Sequence, residues 1–210
     1  VRALPDTPFA EARFAVVDVE TTGGSPVEAA LTEVAVGIFQ GGRCLDLYEQ
    51  LVDPRVPIPP FITELTGISA ATVAGAPPVA DILPEVLDRL EGCVLVGHNL
   101  PFDLSFLNAA LVAAGRAPLT QPRLDTLVLA RWALAGQVPN FRLATLAEAL
   151  GLEHQPSHRA GSDVLATAEL LYRLLDHLAV QGATCLLDLQ EPPGWCRRPS
   201  GPRARGVLGP

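Results

Sequence analysis

The sequence has no methionine, not even at position 1, and no lysine: all fifteen of its basic residues are arginine. Val1 in the place of a start methionine is expected to mark a fragment or a processed start. Lysine is missing while Ala, Gly, Pro and Leu abound, as a GC-rich coding bias would produce, so the arginines by themselves are no sign of recognition. The four cysteines (Cys44, Cys93, Cys185 and Cys196) are scattered and form no CxxC pair. That excludes a disulfide frame and a thiolate zinc site, and fits reduced thiols in a cytosolic protein. No apolar run approaches the length of a membrane span, and no basic-then-apolar leader opens the chain. A cytoplasmic location and no membrane partner are the resulting expectations.

What is present describes a folded chain. Its 210 residues are 49% hydrophobic and 18% charged, enough for one domain with a substantial core. The formal net charge of −8 is unevenly spread: residues 1–190 hold 22 acids and 11 arginines, while residues 191–210 hold one acid and four arginines. An acidic body can meet a polyphosphate chain only if bound cations neutralise some of its carboxylates.

Phe14 to Glu20 reads as a first strand. Leu31 to Gln40 and Arg43 to Val52 read as a hairpin, because Gly41-Gly42 suits a two-residue turn. Four prolines between 54 and 60 interrupt regular structure. "FITELTGIS" then reads as a short helix and "VADILPEVLDRLEG" as a longer one stopped by Gly92. "CVLVGHN" is a short buried strand, and "PFDLSFLNAALVAAG" a helix that tolerates Pro101 in its first turn. "RLDTLVLARWAL" is a strand running into a helix, "LATLAEALG" a further helix, and "SDVLATAELLYRLLDHLAVQG" a long one with Ser162 as its expected cap. The order favours α/β layering, a hairpin-built sheet covered with helices. An N-terminal extension (1–12), a domain (13–180) and a C-terminal segment (181–210) ending in a disordered Pro/Gly/Arg tail are expected.

Three stretches carry chemistry. In "VVDVETTG", Asp18 and Glu20 are two apart in a strand and so project to the same side at its carboxyl end. Alone, the pair fits a strand whose acids simply meet water. Thr21, Thr22 and Gly23 follow, small enough to let a ligand approach backbone N–H groups. "GHNLPFD" places Asp103 in the first turn of a helix, where the helix dipole also favours an acid, with His98 and Asn99 on the loop beside it. "HRAGSD" places Asp163 in a first turn and His158 on the preceding loop. His154 could pair with His158 at helical spacing, but Pro156 argues against a helix there and against zinc.

Taken together, four carboxylates and a histidine lie at strand ends and helix starts, where α/β sheets place their sites. Four acids in one partly dry cleft stay charged only if cations hold them. Oxygen donors select Mg²⁺ or Mn²⁺. Two such ions ~4 Å apart clamp a phosphodiester, one activating water and the other stabilising the leaving oxygen.

"DVETTG", "HNLPFD" and "HRAGSD", in this order and spacing, closely resemble the three motifs of the DEDDh (DnaQ-like) exonucleases over roughly residues 13–178. That family includes proofreading epsilon subunits of bacterial replicative polymerases and exonuclease domains fused to other repair or replication proteins. The resemblance implies a ribonuclease H-like fold with a central five-stranded mixed sheet flanked by helices. It implies that Asp18, Glu20, Asp103 and Asp163 bind two divalent cations, and that His158 takes a proton from the attacking water. The spacing of His158 and Asp163 matches the histidine subclass; no tyrosine stands nearer the acid, as it would in the sister subclass. Removal of nucleoside 5′-monophosphates in the 3′→5′ direction follows.

By the same resemblance, Thr21 and Gly23 approach the terminal sugar and base, and Leu65 and Thr66 match a wedge that separates the last two bases. Asn99 and Phe102 line the same pocket. Many epsilon-like members carry histidine where this chain has Thr66. Core packing is the competing account of Leu65 and Phe102, and the reading for Trp132, Trp195 and Tyr172. Asp125 is expected to support the sheet end. The implied substrate is a single-stranded DNA 3′ end, acted on in proofreading or repair, with a polymerase subunit or fused domain as partner. The same chemistry on RNA is the alternative, since the 2′-OH is sensed by pocket details, and an inactive nucleic-acid-binding or scaffold module is a third reading.

Overall fold

The first strand alternates between two hydrophobic environments, and that alternation organises the molecule. In the computed structural model, which describes residue 2 and residues 4–190, β1 (Arg13–Thr21) is the central strand of a five-stranded sheet. Its neighbours are β2 (Leu31–Gln40), followed by β3 (Arg43–Leu51), on one side, and β4 (Val94–Gly97), followed by β5 (Arg123–Asp125), on the other. β1, β2 and β3 pair antiparallel, while β4 and β5 continue the sheet in parallel, so the sheet is mixed as expected. Gly41 and Gly42 make the β2–β3 turn with φ of 56° and 78°, a conformation that suits glycine.

Phe14 and Val16 point to one face of the sheet, into a cluster formed with α4 (Thr126–Ala133), α5 (Leu143–Leu150) and α6 (Ala160–Val180). Ala15, Val17 and Val19 point to the other, against α2 (Val79–Leu90) and α3 (Leu100–Ala113). Burial on both faces gives the strand its run of valines. The short α1 (Pro60–Thr66) lies between β3 and α2 in the chain.

α6 begins earlier than its sequence indicates. Arg159 is the N-cap residue, and Ser162 sits inside the first turn, where its hydroxyl donates to the Arg159 carbonyl at 2.9 Å. The expected serine cap is therefore corrected: the helix start is held by a distant carboxylate, described below. The segments flanking the domain pair with each other, through a bridge between Pro8 and Cys185 and the Leu186 N–H donating to the Thr7 carbonyl at 2.9 Å. Leu4, Leu186 and Leu189 add to the core beneath α6. The expected disordered tail lies outside the described residues. No described helix is long and apolar enough to cross a membrane.

Candidate active site

Asp18 and Glu20 continue the face of β1 that carries Phe14 and Val16, so they emerge where the sheet meets the start of α6. A register shift follows at once: Glu20 pairs with Glu33 but Thr21 pairs with Leu31, leaving Thr32 as the extra residue of a bulge. Such bulges re-aim a strand end and terminate pairing, here directly beside the acids. Asp103, in the first turn of α3, reaches round the end of the sheet, and its Oδ1 accepts the Val19 N–H at 3.1 Å. Asp163, in the first turn of α6, accepts from the Ser157 N–H at 2.8 Å.

All four carboxylates stand in one electrostatic neighbourhood. Burial pushes Asp18 well above its ordinary range, and the charges of Asp103, Asp163, Glu20 and Glu33 push it further. Glu20 is raised to about 7 by burial and then by Asp163 and Glu33, against the opposing charge of Arg159. Asp103 is raised by burial despite backbone N–H groups that favour its charged form, with Asp125 and Glu20 adding to the rise. Among the described residues, Glu20, His158 and Asp163 bring one donor atom each to within 4.8 Å of one another, close enough to hold a metal ion. His158 is exposed at the rim of this group, on the loop before α6.

A cleft of about 950 Å³ opens beside the acids. His98, Asn99, His158 and Asp163 line it, together with the apolar Leu127, Phe141 and Leu143 and the cationic Arg131 of α4 and Arg142 at the start of α5. Its size lies within the range of ligand sites. His98 braces this lining. Its Nδ1 is 2.9 Å from the Thr126 hydroxyl and its Nε2 is 2.9 Å from the Phe141 carbonyl. A carbonyl only accepts, so Nε2 carries the proton. Burial lowers the ring's pKa, and the Thr126 hydroxyl in turn donates to the Gly97 carbonyl at 3.1 Å. Both ring nitrogens are thereby engaged in holding β5, α4 and the 141 loop together.

Asp125 has the supporting role expected of it. Its Oδ1 accepts from the N–H groups of Leu127 at 2.9 Å and Asn99 at 3.0 Å, capping α4 and fixing Asn99 in the left-handed region at φ 68°. Thr21 and Gly23 are tied to each other, the Thr21 hydroxyl donating to the Gly23 carbonyl at 2.7 Å. The expected wedge pair is split. Leu65 is 51% exposed on α1, whereas Thr66 is buried, donating to the Ile62 carbonyl and accepting from the Ile68 N–H. On α1 the two neighbours thus face different ways, Leu65 outward and Thr66 into the packed side. Phe102 is half-buried against Phe106 with ring centroids 5.2 Å apart, which favours its packing role. His154 has no part in the site; it lies 3.1 Å from Glu169.

Sequence reasoning missed Glu33 and Arg159. Glu33 is fully buried in β2, and both of its carboxylate oxygens meet Arg159, with Nη2 to Oε1 at 2.6 Å. The signal was available: an acid inside the buried run "LTEVAVGIF" is the same anomaly that marks Asp18 and Glu20.

The exonuclease family of the RNase T type matches residues 15–171. A PolC-type DNA polymerase III of Caldanaerobacter subterraneus subsp. tengcongensis is 38% identical over 179 residues, covering 85% of this chain and 13% of that protein. The 3′-5′ exonuclease DinG of Bacillus subtilis is 35% identical over 167 residues, covering 79% of this chain and 18% of DinG. This chain thus spans less than a fifth of either relative. E. coli exonuclease I in complex with a dT13 oligonucleotide superposes with a TM-score of 0.68 at 22% identity, covering 82% of this chain and 44% of that one. At that identity the likeness speaks to the fold. The motifs, the sheet order and the family match agree: this chain belongs to the DnaQ-like exonuclease family and has a ribonuclease H-like fold.

Proposed function

We propose that the chain is a divalent-metal-dependent 3′→5′ exonuclease acting on single-stranded DNA ends. The observation that carries this reading is the convergence of Asp18, Glu20, Asp103 and Asp163 at one sheet end, with His158 beside two of them. Carboxyl groups raised in this way are a poor arrangement for a protein alone and a good one for cations. The donors are oxygens apart from one imidazole, which fits Mg²⁺ or Mn²⁺. Held by the four carboxylates, such ions would neutralise them, polarise the phosphodiester and lower the pKa of water.

The chain's own residues supply the rest. The exposed His158 imidazole accepts the proton of the attacking water at a ring nitrogen. As water oxygen bonds to phosphorus, the bond to the 3′-oxygen of the penultimate nucleotide breaks and a nucleoside 5′-monophosphate leaves. Leu127, Phe141 and Leu143 give the cleft apolar surface for a base, while Arg131 and Arg142 offer charge for backbone phosphates. Leu65, exposed on α1, remains the candidate wedge. The relatives place such a domain in a polymerase and in DinG, so we assign it a role in replication or repair, fused to or working beside a partner.

The test uses 5′-labelled DNA and RNA oligomers of one sequence with Mg²⁺, Mn²⁺ or EDTA. The reading expects a ladder of DNA shortened from the 3′ end, abolished by EDTA and by Asp18→Ala. Preference for RNA would move the substrate assignment, and full activity in Asp18→Ala would overturn the site.

A further inference from the structure

His158 carries the proton transfer in the function proposed above, yet its own packing does little to hold it. The side chain is exposed, and the backbone stands at φ 57°, a left-handed conformation disfavoured for residues with a Cβ. Such a conformation persists only where its surroundings over-determine it. On the N-terminal side, the Ser157 N–H donates to Asp163, and the Ser157 hydroxyl lies 2.6 Å from that of Ser162.

The C-terminal side is held from across the molecule. Arg159 Nε lies 3.2 and 3.1 Å from the two oxygens of Glu33, and its Nη2 is 2.6 Å from Oε1. Glu33 Oε2 also accepts the Ala160 N–H at 2.9 Å, so one carboxylate satisfies a first-turn amide of α6 and the guanidinium next to His158. A fully buried carboxylate inside an apolar strand is costly unless paired, which makes this anchor a specific feature of the fold. Only a planar guanidinium engages both carboxylate oxygens in a fork; lysine would offer a point charge.

We propose that Arg159, clamped by Glu33, is a positioning residue for His158. The fork fixes the chain one residue beyond the imidazole. The imidazole therefore stays within reach of Glu20 and Asp163 despite its exposure. This rests on the reading of His158 as general base.

The experiment measures Mg²⁺-dependent shortening of a 5′-labelled single-stranded DNA oligomer by the full chain and by Arg159→Gln, Arg159→Lys, Glu33→Gln, His158→Ala and the Arg159→Gln/His158→Ala double variant. Arg159→Gln should lower kcat by about 10- to 100-fold, the scale of a misplaced catalytic group, with KM within about twofold. Arg159→Lys should recover only part of the loss. In the His158→Ala background the same change should add less than about twofold, because the residue acts through the imidazole. Glu33→Gln keeps the shape and the acceptor for Ala160, and serves as the second variant if Arg159→Gln does not fold. A readout independent of activity is the ring Cε1–H resonance of His158, assigned by its loss in His158→Ala. It should move or broaden in Arg159→Gln while that of His177 stays put. An equal loss of kcat with and without His158, a change in KM alone, or an unmoved His158 resonance would each overturn the proposal. Unchanged kcat in His158→Ala would instead sink the general-base reading, and the resonance would still report on the clamp.

Discussion

Glu20 and Glu33 stand directly opposite each other across β1 and β2. Like charges in that position repel, and the fold answers the two acids differently. Glu33 is neutralised by the Arg159 fork, while Glu20 is left with a pKa raised to about 7 by burial and by Asp163 and Glu33. One acid is tied into the structure, and the other is the one we propose meets a cation.

The first prediction concerns pH and metal. Glu20, Asp18 and Asp103 all have raised pKa values in the folded state, so the folded chain holds protons more tightly than the unfolded one. Their contribution to stability is full below the unfolded pKa and is lost as pH rises through the folded one. For Glu20 that window runs from 4.5 to about 7. A shift of that size corresponds to at most about 3 kcal/mol, reduced by whatever solvent reaches the group. In EDTA, Tm should therefore fall by roughly 5 °C between pH 5 and pH 8. Mg²⁺ or Mn²⁺ competes for the same carboxylates and should raise Tm more at pH 8 than at pH 5. Thermal scans at the two pH values check this, and an equal metal effect at both would contradict it.

The sheet and the main site were legible because their signals are local. The Gly41-Gly42 turn, the alternation of β1 and the three acid-bearing motifs each occupy a few neighbouring residues. What stayed hidden depends on partners far away in sequence. Glu33 and Arg159 are 126 residues apart, and no pattern within "LTEVAVGIF" names its guanidinium. The start of α6 was misplaced for the same reason, since the Ala160 N–H finds its acceptor on β2 and needs no serine cap. His98 was read as part of the site loop, but its ring nitrogens are claimed by Thr126 and Phe141, 28 and 43 residues on. Thr66 was placed by resemblance beside Leu65, and only the built helix shows which of the two faces inward.

The second prediction separates Gly37 on β2, beneath α6, from Gly161 in the first turn of α6. A Cβ on Gly37 would stand 2.5 Å from Phe39 Cε2 and 2.6 Å from Val164 Cγ1, both in the core where β2 and α6 meet. Gly37→Ala should cost about 1–3 kcal/mol, as overpacked cores do. A Cβ on Gly161 would meet the Glu49 carboxylate, the far end of an exposed and flexible side chain that can swing aside. Alanine also favours the helix by up to about 1 kcal/mol, so Gly161→Ala should be close to neutral. Urea midpoints at equal m-values measure both, and the reverse order would show that α6 packs on β2 differently.

The third prediction addresses how so acidic a chain meets a polyanion. Residues 1–190 hold twice as many acids as arginines, so binding depends on where the few cations stand. Arg131, on α4, and Arg142, the N-cap residue of α5, both line the cleft. If they meet backbone phosphates, each contact releases condensed counterions, and affinity for single strands falls with salt at a slope of about −0.7 per phosphate. Arg131→Ala and Arg142→Ala should each flatten the dependence of log KM on log salt by about 0.7 between roughly 50 and 200 mM. They should raise KM at low salt for every base composition alike, because phosphate contacts carry no sequence information. kcat should hold nearly constant, since neither guanidinium belongs to the acid–histidine group. A variant with unchanged slope would place the strand along a different wall of the cleft, and a fall in kcat at constant KM would bring that arginine into the chemistry itself.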